Sequence, residues 1–332
     1  MKIKERKGEH LKICEKDEVE YDEGPGFDCV EFVHNSLPEI DYSEVKLETE
    51  FCGKKIFPLM ITAVTGGFEG AGKLNSDLAE AAEKYRFAFG LGSERPLLEG
   101  GSAESYKVRK AAPSIPVIGN IGGSQLKKFG AEKVSGLVSK VEADGFAVHL
   151  NPLQEMVQPE GDREFRGILS EIGKLCDVLD VPVIVKETGA GINRSAAEKL
   201  KAAGVKMIDV AGAGGTSWSK VEYGRGGKPP GFEEWGIPTA VSVLTCKWVM
   251  PVIASGGVRS GIDAAKAVVL GAEFAGAARP FLIAHNEKRL DEMCSEWVEQ
   301  MKISALLTGS RNMRELGKAP VVITGWLSEW VE

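Results

Sequence analysis

The chain has 332 residues, 43% of them hydrophobic and 27% charged, with a formal net charge of -7 at neutral pH. This length and balance suit a soluble α/β protein with one large core, and the acidic excess argues against nucleic acid or a membrane surface as a partner, since both select a basic face. No stretch reaches the ~20 apolar residues of a membrane span.

The charged N-terminus, Met1 to His10, is not followed by the apolar core of a secretory signal, so the expected location is the cytoplasm. Six cysteines, Cys14, Cys29, Cys52, Cys176, Cys246 and Cys294, are scattered without a CxxC pair or metal-type spacing. Reduced thiols and no zinc site are expected.

Residues 1–55 alternate charged and apolar positions without a strong period and contain Gly24-Pro25-Gly26. They read as an N-terminal arm, extended or partly helical, too short for a domain. A solvated basic patch is the ordinary fate of its Arg6-Lys7 pair.

From Phe57 a repeat sets in. Pro58-Leu59-Met60-Ile61, Pro116-Val117-Ile118-Gly119, Pro182-Val183-Ile184-Val185 and Pro251-Val252-Ile253-Ala254 each run from proline through apolar residues into glycine-rich sequence. A second pattern alternates with it: an amphipathic helix, a glycine near its end, then a short strand. Examples are Gly145 into Phe146–Leu150, Gly204 into Met207–Val210, and Gly271 into Phe274–Gly276. Glycine just past a helix is the usual left-handed cap.

With Ala88-Phe89-Gly90-Leu91 these segments make eight strands, and their pace of roughly 60 residues per pair is that of an eight-unit barrel. The continuous apolar runs fit parallel strands buried on both faces. The expected fold is a TIM (β/α)8 barrel over residues 56–332. A doubly wound open sheet competes less well, because no glycine-rich dinucleotide turn is visible. After the eighth strand, Glu287 to Leu307 has helical spacing, and Trp326 and Trp330 are expected to anchor a C-terminal tail.

In such barrels ligands bind at the carboxyl ends of the strands. The eight ends supply Thr62-Ala63-Val64-Thr65-Gly66-Gly67, Gly92-Ser93-Glu94-Arg95, Asn120, His149 with Asn151, Gln154 and Glu155, Lys186-Glu187, the glycine-rich run from Ala211 to Trp218, Ser255-Gly256-Gly257-Val258-Arg259, and Gly276-Ala277-Ala278-Arg279. The glycine loops after strands seven and eight suit a phosphate, held by backbone N–H groups and helix N-termini. Gln154 and Glu155 also fit a plain helix start, and His149 a hydrogen-bonded barrel residue. Lys186 fits a cation facing an electron-rich cofactor ring, a Schiff base, or a structural pair with a carboxylate. Glu155 is the best metal-ligand candidate, and a lone carboxylate holds Mg²⁺ only together with substrate phosphates and water.

These residues together resemble the type 2 isopentenyl diphosphate isomerases, flavin-dependent enzymes of the FMN-binding barrel class. The resemblance spans nearly the whole chain. It rests on Arg6-Lys7 with His10, Thr65-Gly66-Gly67, Gly92-Ser93 with Arg95, His149-Leu150-Asn151 with Gln154-Glu155, Lys186-Glu187, Asp209 to Trp218, Trp235-Gly236 with Pro238-Thr239, and Ser255-Gly256-Gly257 with Arg259. Glu94 departs from the family, which often has a neutral residue there.

The resemblance implies FMN held by Thr62, Ala63, Val64, Thr65, Ser93, Asn120, Lys186 and Thr216, with its phosphate on Gly256, Gly257, Val258, Arg259, Ala277 and Ala278. It implies a substrate diphosphate and short hydrocarbon surrounded by Arg6, Lys7, His10, Ser93, Arg95, His149, Asn151, Gln154 and Trp218, with Mg²⁺ on Glu155. Gln154, His149 and Lys186 are the implied catalytic residues, and the arm closes over the barrel mouth. The implied reaction moves a double bond between isopentenyl and dimethylallyl diphosphate on reduced flavin, with NAD(P)H as reductant. A tetramer or octamer is the implied assembly. A 2-hydroxyacid oxidase would need a histidine near the strand-seven mouth, and a purine-nucleotide dehydrogenase a cysteine in a mouth loop; Cys176 and Cys246 lie at the other end. A catalytically silent phosphate-ligand sensor is the alternative from another class.

Overall fold

The computed structural model describes residues 3–15, 17–67 and 70–330, with side chains from Gly8 onward apart from that of Asp17. Eight short parallel strands close into a barrel: β1 Leu59–Ile61, β2 Ala88–Gly90, β3 Val117–Gly122, β4 Gly145–His149, β5 Val183–Lys186, β6 Met207–Asp209, β7 Val252–Ser255 and β8 Phe274–Ala277. Each strand pairs with its neighbours in the chain, and β8 closes on β1 with Ala275 opposite Leu59 and Ala277 opposite Ile61. All eight expected strands are present in the expected order.

Side chains alternate across the strands, so each strand feeds two cores. Met60, Ala88, Ile118, Ala147, Ile184, Ile253 and Phe274 fill the barrel interior. Their neighbours, such as Leu59, Ile61, Phe89, Val117 and Val148, face the surrounding helices in a larger cluster. This is why the strands show no polar alternation in the sequence.

The segment before the barrel divides between its two ends. The helix Ile3–Cys14 leads to Val19–Tyr21, which is held to the loop after β6 by Tyr21 N–H to Gly215 O (2.9 Å) and Ser217 N–H to Val19 O (2.7 Å). At the opposite end, Thr49–Phe51 pairs antiparallel with Lys54–Ile56. Phe51 and Ile56 join the barrel-interior cluster, and the Phe51 ring lies 4.8 Å from that of Phe274. This hairpin plugs the floor. A further antiparallel pair, Val30–Phe32 with Val321–Ile323, ties the N-terminal segment to the tail.

Three local expectations are corrected. The helix before β4 ends on Glu142 in the left-handed conformation (φ 53°), and Gly145 already belongs to the strand; Gly204 and Gly271 do take positive φ, 94° and 117°. The last long helix begins at Leu290, not Glu287, because a separate helix Arg279–Asn286 precedes it. In the tail, Trp326 and Trp330 remain 39% and 51% exposed while Leu327 between them is buried, so the short helix Gly325–Trp330 docks through leucine.

Candidate active site

A cavity opens at the carboxyl ends of the strands. Every described residue nominated for cofactor, substrate, metal or catalysis lines it: His10, Thr62, Ala63, Val64, Thr65, Ser93, Arg95, Asn120, His149, Asn151, Gln154, Glu155, Lys186, Thr216, Trp218, Gly256, Gly257, Val258, Arg259, Ala277 and Ala278. The side chains of Arg6 and Lys7 lie outside the described residues.

One half is built from backbone. Gly256 and Gly257 have φ of 95° and 75°, and a Cβ on Gly257 would stand 2.5 Å from Gly214 O. A Cβ on Gly215 would stand 2.4 Å from Gly257 N, so the loops after β6 and β7 touch main chain to main chain. Only glycine allows that approach. The helices Gly261–Leu270 and Arg279–Asn286 start shortly after β7 and β8, so positive helix ends converge on small residues. That arrangement fits a phosphate monoester. Glu20 joins the two flanking arginines, at 2.8 Å from Arg259 Nη2 and 2.8 Å from Arg279 Nη1.

Between the halves, Lys186 ends β5 and donates from Nζ to Glu187 O. Two buried carboxylates lie around it. Burial pushes Asp209 above the ordinary carboxylate range, against the pull of Lys186 and of hydrogen bonds from Ser255 Oγ (2.5 Å) and Ala211 N–H (3.3 Å). Burial likewise raises Glu187, although its carboxylate accepts the N–H groups of Ala190, Gly189 and Thr188.

The other half is built from side chains. Asn151 caps the helix Pro152–Val157, with proline at its first position. Asn151 Nδ2 donates to Gln154 Oε1 (3.0 Å) and Glu155 Oε1 (3.1 Å), and His149 Nδ1 lies 3.0 Å from Asn120 Oδ1. Glu155 also accepts from Asp162 N–H (2.7 Å) and Gln158 Nε2 (3.4 Å). The stretch is therefore both a helix start and a cavity wall. Among the described residues no cluster of three His, Cys, Asp or Glu side chains stands ready for a metal. Arg95 is turned to Glu99, 2.9 Å from Nε.

Glu222, fully buried, is the residue that sequence reasoning missed. Its Oε1 accepts from Gln154 Nε2 (2.7 Å) and stands 3.0 Å from His10 Nε2, whose ring meets Trp218 edge-on at 5.3 Å. Burial alone would raise the Glu222 carboxyl, but His10, Gln154 and Arg225 together hold it below the ordinary glutamate value. A signal was available: Trp218 and Glu222 are four apart on one helix and share a face. Glu20, in a run of acids, had none. Cys14 also lines the cavity, and burial pushes its thiol up to about 12, which favours the neutral thiol.

Residues 151–323 match the model of the FMN-dependent dehydrogenase family. The isopentenyl-diphosphate delta-isomerase of Pyrococcus furiosus is 43% identical, over 98% of this chain and 88% of its own length. Those of Methanothermobacter thermautotrophicus and Methanothrix thermoacetophila are 44% and 45% identical, each matched over 96% of its length. The chain belongs to the isopentenyl-diphosphate delta-isomerase family. Solved structures with the same barrel include flavocytochrome b2, with a TM-score of 0.70 at 19% identity over 95% of this chain and 83% of that one, and a mandelate oxidase, with 0.64 at 15% over 91% and 90%. They share the fold.

Proposed function

We infer that this protein interconverts isopentenyl and dimethylallyl diphosphate, with FMN on the backbone-built half of the cavity and the diphosphate on the side-chain half. One observation carries the reading: a glycine cradle suited to a phosphate and the Asn151–Gln154–Glu155 cluster face one another across a single mouth. The reaction adds a proton at one carbon and removes one two carbons away, through a cationic transition state that must be kept from water.

Gly256, Gly257, Val258, Arg259, Ala277 and Ala278 would hold the FMN phosphate, with Thr62, Ala63, Val64, Thr65, Ser93, Asn120 and Thr216 along the rest of the cofactor and Lys186 beside its ring. Reduced FMN supplies an electron-rich ring that favours the cation and a ring N–H able to give a proton. Lys186 contributes a fixed positive charge next to that ring. His149, Asn151 and Arg95 bind diphosphate oxygens, for which Arg95 must exchange Glu99. Glu155 would hold Mg²⁺, which would supply positive charge for the diphosphate. Gln154 stands at the alkene, oriented by Glu222.

The N-terminal helix, with Arg6, Lys7 and His10, covers the mouth over the bound diphosphate, and Trp218 closes the apolar side. NAD(P)H reduces the flavin, the assembly is a tetramer or octamer, and the enzyme works in the cytoplasm. Among the described residues no helix is long and apolar enough to cross a membrane. Oxidation of a 2-hydroxy acid is the second reading, favoured by the shared barrel. It wants a histidine at the strand-seven mouth, and Gly256-Gly257-Val258-Arg259 has none.

The test is direct. FMN-loaded protein, reduced anaerobically with NADPH and given Mg²⁺, should convert isopentenyl diphosphate to its isomer, followed by proton NMR. No conversion with fully reduced flavin would overturn the reading.

A further inference from the structure

Just past the helix Trp218–Tyr223 lies an arginine that no sequence motif singled out. The Arg225 side chain is 5% exposed and meets three carboxylates from three separate segments. Nη1 donates to Glu222 Oε2 at 2.5 Å, Nη2 to Glu160 Oε1 at 2.7 Å, and Nε to Glu9 Oε2 at 3.4 Å.

Each segment carries a side chain of the site. Glu9 precedes His10 on the N-terminal helix. Glu160 sits in the turn closed by Gly161 N–H to Gln158 O (3.1 Å), and the next residue, Asp162, gives its N–H to Glu155. Glu222 uses its other oxygen for Gln154 and His10. A guanidinium presents its donors in a rigid planar fork and stays charged at every working pH.

We propose that Arg225 is a positioning residue: it keeps Glu222 an anion, and so sets which end of the Gln154 amide faces the substrate. This rests on the isomerase reading above. The logic is that of donors and acceptors. An ionised Glu222 can only accept, so it takes the Gln154 NH₂ group and leaves the carbonyl oxygen toward Asn151. A protonated Glu222 can donate, and the amide is then free to turn over. His10 and the Gln154 amide favour the Glu222 anion, and Arg225 adds at hydrogen-bond distance a cation that stays charged at every working pH. The titratable or charged groups facing Glu222 are His10 and Cys14 from the N-terminal helix and Arg225 from its own, with Glu9 and Glu160 beyond the guanidinium.

The test compares Arg225→Gln and Arg225→Lys with the native enzyme, all FMN-loaded and checked for folding by thermal melting. In Arg225→Gln, kcat on isopentenyl diphosphate should fall by about 30-fold or more with FMN affinity unchanged, and the acid limb of its pH profile should move to higher pH. Arg225→Lys should return the acid limb to its native place but restore only part of kcat, because charge is kept and the fork is lost. A kcat loss with the acid limb unmoved in Arg225→Gln, or no loss, would overturn the proposal.

Hydrogen exchange on the flavin-free proteins gives an arm independent of the reaction. Residues 8–14 and 158–162 should exchange faster in Arg225→Gln than in the native chain. Unchanged exchange at both would overturn the tie whatever the enzyme catalyses. Faster exchange beside a native enzyme that turns over no diphosphate would uphold the tie and overturn the isomerase reading instead.

Discussion

The two halves of the cavity are made by different means. On the half proposed for the cofactor, backbone N–H groups, helix ends and glycines with positive φ form the wall, and most of its residues lie within four residues of a strand end. On the half proposed for the substrate, side chains from the N-terminal helix, the segment after β4 and the helix after β6 hold one another in place through Glu222 and Arg225. A phosphate moiety common to many ligands can be met by fixed main chain, which needs little more than the right turn. A reacting hydrocarbon needs oriented donors and acceptors, and these are fixed only by further side chains behind them.

The charge states differ in the same way. Around Lys186, Asp209 and Glu187 are pushed up by burial, whereas across the mouth Glu222 is held down by its partners.

What both halves share is the barrel floor, and removing part of it has the largest expected effect. Phe51→Ala should cost roughly 3–5 kcal/mol of stability in a urea titration. Because Phe51 touches neither half, FMN affinity and KM of the folded fraction should stay native; a changed affinity would mean that the floor tunes the mouth. Next in size is Gly257→Val. Its Cβ would collide with Gly214 O in a backbone conformation that costs a branched residue heavily, and FMN affinity by flavin fluorescence should weaken by about 100-fold or more. Riboflavin, lacking the phosphate, should lose far less between native and variant proteins.

Gln154→Asn acts on the other half. It withdraws the amide from Glu222, so turnover should fall by roughly 30-fold while FMN affinity changes less than about 2-fold. Equal loss of both would break the division between halves.

The smallest effect is also the most diagnostic, the pH dependence of stability. Glu222 has a depressed folded pKa, so its contribution is complete above the ordinary glutamate value of about 4.3 and is lost as pH falls through the lower folded value. Asp209 has a raised folded pKa, so its contribution is complete below the ordinary aspartate value of about 3.9 and is lost as pH rises through the folded one. Urea midpoints across the acid range should therefore show that Glu222→Gln removes part of the native loss of stability on acidification. Asp209→Asn should remove part of a loss in the opposite direction. The same sign for both would erase the electrostatic contrast between the two halves.

The barrel and most of the cavity lining were legible in the amino-acid sequence. Parallel strands buried on both faces must be continuous apolar runs, and the residues that end them must share one mouth, so chain order alone places Thr62, Ser93, Asn120, His149, Lys186, Thr216, Gly256 and Ala277 together. Tertiary structure decided what stands behind that lining. Glu222 sits on a helix after the sixth strand end with Arg225 just past it, His10 and Glu20 on a segment before the first, and Phe51 on a hairpin at the far end of the barrel. None follows from a strand's periodicity, because a carboxylate in an acidic stretch looks the same whether it is solvated or, like Glu20, held by an arginine 239 residues away. Only the closed barrel, by stacking distant segments on one mouth, turns Glu20 toward Arg259 and Arg279 and Glu222 toward Gln154, His10 and Arg225.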